Sequence, residues 1–312
     1  MLELESLNKV LPGSDQARPG EESILAPPPC VLTIAGSDSG GGAGIQADIK
    51  TFMALNTYGS SVITALTAQN GLGVTGIHAP DGAFVALQLE TVLKGFPVAA
   101  AKTGMLFSAE IIKSVAGTLR KFFTSGGKPF PLLVDPVSVS QSGHRLLAED
   151  AVAALIEYVV PLADLLTPNK PEAEMLSDMS INTPEDLREA IQRILALGPK
   201  AVLIKGGHFD SDIEVTDWLA LPGEEPQRLA QPKVNTINNH GTGCTLGAAI
   251  TAYLAHGLPL REAVIAAQRY LNLCLRASYS PGLGCGPVNH AANQETLSEV
   301  TQGMPVNHFF GP

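Results

Sequence analysis

The stretch NNHGTGCTLG, residues 238–247, runs from a glycine turn into small and apolar residues without proline. This pattern puts Gly241, Thr242, Gly243 and Cys244 at a helix N-terminus, where free backbone N–H groups attract anions. A thiol at such an end meets the positive pole of the helix dipole, which favours its ionised form. Other residues able to do chemistry fall at the ends of short apolar runs. They are Gly36-Ser37-Asp38, Gln69-Asn70, Lys102 to Met105, Asp135-Pro136-Val137, Pro168-Asn169 and Lys205-Gly206-Gly207. Connecting loops alone do not require so much polar and glycine chemistry.

The runs that carry these residues set the fold. CVLTIAG (30–36), SSVITALTAQ (60–69), VAAAKTG (98–104), PLLVDPV (131–137), ADLLTP (163–168) and AVLIKGG (201–207) are β-rich. Helical stretches separate most of them, among them AGIQADIKTFMALN, EDAVAALIEYVVP and PEDLREAIQRILALG. Strands apolar on both faces, alternating with amphipathic helices, predict a parallel sheet covered on both sides. DWLALPG adds a strand, and helices over 242–256 and 260–276 close the domain. The expectation is a single doubly wound α/β domain over residues 30–290, with a mostly parallel central sheet and helices on both faces. Ligands of such sheets bind outside the carboxyl ends of the strands, where the polar residues collect.

Composition narrows the function. The chain has 312 residues, and a hydrophobic share of 45% supplies a large core. A net charge of −10, with no cluster of lysine or arginine, excludes extended binding to nucleic acid or to anionic membrane. No apolar run approaches the roughly 18 residues of a transmembrane helix. Cys30, Cys244, Cys274 and Cys285 form no CxxC pair, so neither a zinc site nor a disulfide framework is expected, and a reducing cytoplasm fits. Residues 1–29 are polar and acidic, end in three prolines, and read as a flexible extension with no signal-peptide features. Residues 291–312 read as a loose tail.

Two further glycine runs are less specific than GTGC. SGGGAG (39–44) lacks the lysine of a Walker-type phosphate loop. GLGVTG (71–76) formally matches a dinucleotide fingerprint, but the β-like GVTGIHA and then Pro80 follow it where a helix should open. An oxidoreductase is therefore disfavoured.

In order along the chain, AGSDSGGGAGIQAD (35–48), SSVITALTAQN (60–70), KTGML (102–106), DPV (135–137), TPNKPEAEML (167–176), LIKGGH (203–208), NNHGTGCT (238–245) and GCGPVNH (284–290) resemble one family. It is the hydroxymethylpyrimidine and phosphomethylpyrimidine kinases of thiamine biosynthesis, within the ribokinase-like superfamily. The resemblance implies ATP-dependent phosphorylation of 4-amino-5-hydroxymethyl-2-methylpyrimidine and then of its monophosphate. It assigns Lys205 and Asn169 to ATP, and Asp135 and Glu172 to Mg²⁺, which prefers one or two carboxylates with retained waters. For the pyrimidine it points to Gln69, whose amide has both an acceptor and donors, with Met105 and Val137 as apolar walls. Gly36 and Ala43 would allow close backbone approach, and Asp48 matches the family's GIQAD, although an exposed helix charge explains it equally well. Related kinases suggest a homodimer. Ser138 and Gln141 depart from the family, where a larger residue and a lysine are common.

Sugar kinases of the superfamily carry an aspartate where Cys244 stands, as the base for the acceptor hydroxyl. A thiolate here could fill that role, whereas a small buried filler is the plainer explanation. A sister kinase acting on pyridoxal or pyridoxine shares these loops, and a non-catalytic ligand-binding domain is the alternative outside enzymes. A binding domain has no need to keep GTGC, Lys205, Asp135 and Glu172 together.

Overall fold

The computed structural model describes residues 27–127, 129–137, 149–206 and 213–292. The N-terminal extension up to residue 26, the tail from 293, and Ser138, Gln141 and Gly207 lie outside the described residues. The chain opens with β1 (Cys30–Asp38), α1 (Gly44–Ala54), β2 (Tyr58–Asn70), β3 (Gly73–His78), α2 (Gly82–Gly95), β4 (Val98–Thr103) and α3 (Ala109–Thr124). It continues with β5 (Leu132–Val134), α4 (Glu149–Ala154), β6 (Leu165–Leu166), α5 (Lys170–Ser177), α6 (Pro184–Ala196) and β7 (Val202–Ile204). The hairpin β8 (Glu214–Ala220) and β9 (Gln227–Pro232) precedes α7 (Thr242–Ala255) and α8 (Leu260–Arg276).

The nine strands among the described residues form one sheet in the order β3-β2-β1-β4-β5-β6-β7-β8-β9. From β2 to β7 every neighbour is parallel, and antiparallel strands stand only at the edges. The expected doubly wound α/β fold is therefore what forms. Alternation of side chains supplies both faces. Leu132 and Val134 of β5 pack into the core under α2, α3 and α6, whereas Leu133 between them packs against α7 and α8.

Several elements differ from their expected extent. The strands expected over 131–137, 163–168 and 201–207 shorten to β5, β6 and β7. The helix expected over EDAVAALIEYVVP is α-helical only to Ala154, then passes through a π turn and a 3₁₀ turn that carries Pro161. α5 and β9 were not expected. α5 is short and polar, and its one sequence signal is the Asn169-x-x-Glu172 capping box with Pro171 in the first turn. GLGVTG forms the β2–β3 turn and no helix, which removes the dinucleotide reading. No helix among the described residues is long and apolar enough to cross a membrane.

Beneath α7 lies a buried ion pair. Lys102 of β4 donates to both carboxylate oxygens of Asp48 on α1, each at 2.8 Å, and Thr33 of β1 donates to Oδ2 at 2.6 Å. Asp48 is wholly buried, so the exposed-charge expectation fails, and its carboxylate is committed to these two partners. Removing one member of such a pair strands the other charge, which costs roughly 3–5 kcal/mol. Lys102→Met should lose about that much in urea unfolding, and the double variant Lys102→Met with Asp48→Leu should recover part of it. A double variant less stable than the single would show that the pair is not the source of the loss.

Candidate active site

Parallel strands all present their carboxyl ends at one rim, and backbone pairing continues past several of them. Gly104 N–H donates to Ile34 O at 2.9 Å, Asp135 N–H to Thr103 O at 3.1 Å, and Lys205 N–H to Pro168 O at 2.8 Å. A parallel bridge also aligns Asn169 with Lys205. These bonds hold Asp135, Asn169 and Lys205 side by side although they are distant in sequence.

Lys205 is the centre of that cluster. Its Nζ lies 2.7 Å from Asp135 Oδ1 and 3.9 Å from Glu172 Oε2, and both carboxylates are almost fully buried. Burial works against the ammonium charge, but Asp135 and Glu172 outweigh it and hold Lys205 well above the ordinary lysine range. Glu172 also closes the start of α5. Its Oε2 accepts the Asn169 N–H at 2.8 Å, while Asn169 Oδ1 accepts the Glu172 N–H at 2.9 Å. The acidic first-turn charge and the candidate metal ligand are thus the same group. Asn169 serves α5 as its cap and also faces the cavity described below.

The GTGC turn approaches from the other side. The Cβ position of Gly243 lies 3.6 Å from Lys205 Nζ and 3.8 Å from Asp135 Oδ2. Gly241 caps α7 with φ 81°, the left-handed region, and a Cβ there would overlap the Gly42 carbonyl oxygen. Side chains cap α2, α3, α5 and α6, by Asp81, Ser108, Asn169 and Thr183. No side chain caps α7, as none caps α1 or α8. The Thr242 N–H donates to Asn239 O at 3.4 Å, and the next first-turn donors, those of Gly243 and Cys244, have no partner within the helix.

The thiol departs from expectation. Burial pushes Cys244 up to about 11; Lys102 and the Gly44 N–H pull the other way, and Asp48 and Asp135 add to the rise. The shift is opposite to the lowering expected at a helix N-terminus, because desolvation of the partly buried thiolate exceeds the dipole's effect. At neutral pH Cys244 carries its proton.

Asp38 and His240 are site residues that the sequence did not single out for a role. The Asp38 carboxylate accepts N–H groups of Gly40 (2.8 Å), Gly42 (3.0 Å) and Ala43 (2.8 Å), and meets His240 Nε2 at 2.9 Å. Burial pushes Asp38 up, yet these donors overcome it and leave the acid below its usual range. The Gln69 amide lies between Thr67 Oγ1 at 3.1 Å and His240 Nε2 at 3.4 Å. The usable signal was an aspartate leading into a glycine run, a typical side-chain-to-backbone turn.

All this surrounds a cavity of about 710 Å³. Gly36, Ala43, Gln69, Met105, Val137, Asp135, Asn169, Glu172, Lys205 and residues 241–244 are among the residues that line it. Of the residues given a role from sequence, only Asp48 does not face it. A second cavity of about 430 Å³ runs between β8, β9 and α8 and meets the first at Lys205, Gly206, Asn239, Thr242 and Gly243. Two compartments thus share one seam of cation, open N–H donors and glycine.

Comparison with known proteins gives the family. The family model for phosphomethylpyrimidine kinase matches residues 38–289. The chain belongs to that family. It is 48% identical over 269 residues to the thiamine biosynthesis bifunctional protein ThiED of Geobacter sulfurreducens, covering 86% of this chain and 54% of that relative. Against the hydroxymethylpyrimidine/phosphomethylpyrimidine kinase of Synechococcus elongatus it is 47% identical, covering 84% of this chain and 97% of the relative. Among solved structures, the pyridoxal kinase from Staphylococcus aureus in complex with AMP-PCP matches with TM-score 0.77 and 35% identity, over 86% of this chain and 96% of that one. The phosphomethylpyrimidine kinase from Clostridium difficile matches with TM-score 0.67 and 43% identity, over 78% and 98%.

The neutral thiol has a direct readout. Alkylation of the Cys244 peptide, followed by mass spectrometry, should keep accelerating with pH to about pH 10, since only the thiolate reacts. A rate that levels off by about pH 8 would show an ionised thiol instead.

Proposed function

We propose that this chain uses ATP to phosphorylate 4-amino-5-hydroxymethyl-2-methylpyrimidine and then its monophosphate, giving the pyrophosphate used in thiamine biosynthesis. The observation that carries the reading is the seam: uncapped α7, Lys205 and two buried carboxylates converge where two cavities meet. Phosphoryl transfer needs positioning and charge neutralisation more than covalent chemistry. The acceptor occupies the larger cavity and the nucleotide the smaller one, so that the transferred group lies at the shared residues. There the N–H groups of the GTGC turn stabilise its equatorial oxygens, and Lys205 neutralises the phosphate charge.

Asp135 and Glu172 fit a hydrated Mg²⁺, for which one or two carboxylates suffice. Among the described residues there is no group of three or more His, Cys, Asp or Glu that could hold a metal ion. When bound, Mg²⁺ supplies charge neutralisation at the phosphates. Both carboxylates are kept close by Lys205, which orders them before any ligand arrives.

Gln69, Met105 and Val137 form the pyrimidine site, with the amide reading the amino edge. Cys244 sits at the transfer point as a neutral thiol. One pocket must take first an alcohol and then a charged monoester, and a neutral side chain repels neither. A loose transition state asks little of a base for the alcohol proton. Pyridoxal is the second reading, supported by the overlap with the Staphylococcus aureus enzyme. The pyrimidine is favoured because identity is higher to enzymes named for it.

A cytoplasmic homodimer belongs to the same proposal. The four cysteines are all free, and Leu66 and Leu72 of the β2–β3 edge and Phe84 and Leu87 of α2 expose large apolar surfaces that a second copy would cover.

ATP consumption with hydroxymethylpyrimidine, its phosphate and pyridoxal, compared side by side, tests the activity; turnover of pyridoxal alone would overturn it. Gln69→Leu should cost roughly 1–3 kcal/mol in apparent affinity for the pyrimidine with little change for ATP, and equal losses for both would remove Gln69 from the acceptor site. Cys244→Asp should damage the second phosphorylation more than the first, read by timing each half-reaction; equal damage would refute the charge argument.

A further inference from the structure

His240 stands one residue before the glycine turn, and its imidazole is fixed on several sides. Nε2 is 2.9 Å from Asp38 Oδ2 and 3.4 Å from one terminal atom of the Gln69 amide. The His240 N–H donates to Gly286 O at 3.1 Å. The ring packs so closely on Gly42 that a Cβ there would come within 2.5 Å of Cδ2.

Counting hydrogens sets the sense of the amide. The Asp38 carboxylate only accepts, so Nε2 carries a hydrogen and donates it there. Thr67 has one hydroxyl hydrogen, and the Ser37 carbonyl, 2.9 Å away, can only accept it. The other terminal atom of Gln69, 3.1 Å from Thr67 Oγ1, must then be the donor. An amide with its NH₂ toward Thr67 and its carbonyl toward His240 sets no donor against a donor, the one Nε2 hydrogen lying mainly on Asp38 and being shared with the more distant carbonyl, whereas the reverse sets NH₂ against Nε2–H. Oxygen and nitrogen of a side-chain amide are properly assigned from such a network.

We propose that His240 is a specificity-determining positioning residue, which, held by Asp38, fixes the side of the Gln69 amide that offers a donor and the side that offers an acceptor to the ligand. The proposal rests on the assignment of Gln69 to the pyrimidine. What remains free on the amide is one N–H on the Thr67 side and one carbonyl lone pair on the His240 side. An edge made of a ring nitrogen beside an amino group pairs with that arrangement in one orientation only. The orientation then decides whether the hydroxymethyl group points to Cys244 and the open N–H groups of α7.

Steady-state kinetics with hydroxymethylpyrimidine and ATP test this in His240→Leu, Gln69→Leu, their double variant and His240→Gln, whose amide nitrogen reaches the place of Nε2. His240→Leu should raise the pyrimidine KM about tenfold, with the ATP KM within about twofold. The double variant should be no worse than Gln69→Leu alone, because both act through one amide, and His240→Gln should recover most of the loss. Losses that multiply in the double variant, or an equal rise in the ATP KM, overturn the proposal. Should His240→Leu not fold, His240→Asn takes its place: its shorter amide cannot reach Gln69, and a KM equal to that of His240→Gln overturns the proposal. If Gln69→Leu leaves the pyrimidine KM unchanged, the assignment of Gln69 itself falls and takes this proposal with it. If Gln69→Leu raises KM and His240→Leu does not, the role of His240 alone falls.

Discussion

The Asp38 carboxylate is the interaction on which the rest of the site depends. It gathers three backbone N–H groups of the 39–44 loop and the imidazole of His240, which stands 202 positions further along the chain. One charged group thereby ties the loop that opens α1 to the turn that opens α7. The close approach of Gly241 to the Gly42 carbonyl follows from that tie. A buried carboxylate without these donors would be costly; with them it stays ionised and holds the two turns in register.

Two lysines, one buried and one partly open, divide the remaining electrostatic work. Lys102 is sealed under α7, with both oxygens of Asp48 committed to it and only its edge at the cavity floor. Lys205 stands at the seam, partly open, with one carboxylate close and another at the limit of contact. Replacing buried ion pairs by apolar residues often stabilises a protein, so their presence is a weak argument for stability. Lys102 fixes the floor on which the small residues of α7 lie. Lys205 keeps donors that an anion can share.

The helix ends show the same division. α2, α3, α5 and α6 satisfy their first N–H groups with side chains. α7 gives up that stabilisation, which is typically about 1 kcal/mol, and leaves its donors to the cavity. α1 and α8, the helices that pack against α7, also start without a side-chain cap, so what distinguishes the α7 end is the cavity it faces. The partial burial of Cys244 beside these donors raises its pKa, which favours the neutral thiol.

The sequence by itself determined the layered fold, the rim on which the chemistry collects and nearly every residue of the cavity. These follow from short-range rules: apolar runs of period two, glycine at a helix start, and polar residues at strand ends. Long-range facts were decided only by the folded chain. Asp48 looked like an exposed helix charge because helical position alone cannot show that Lys102 lies across from it. For Cys244 the sequence offered both a thiolate at the helix dipole and a buried thiol, because the dipole is a local property whereas burial is a sum over the whole structure. Asp38, Gln69 and His240 met only when strands β1 and β2 and the approach to α7 were brought together. The sense of one amide, and with it the orientation of a ligand, is a property of that tertiary contact, because hydrogen-bond partners far apart in the chain are chosen by packing and not by spacing.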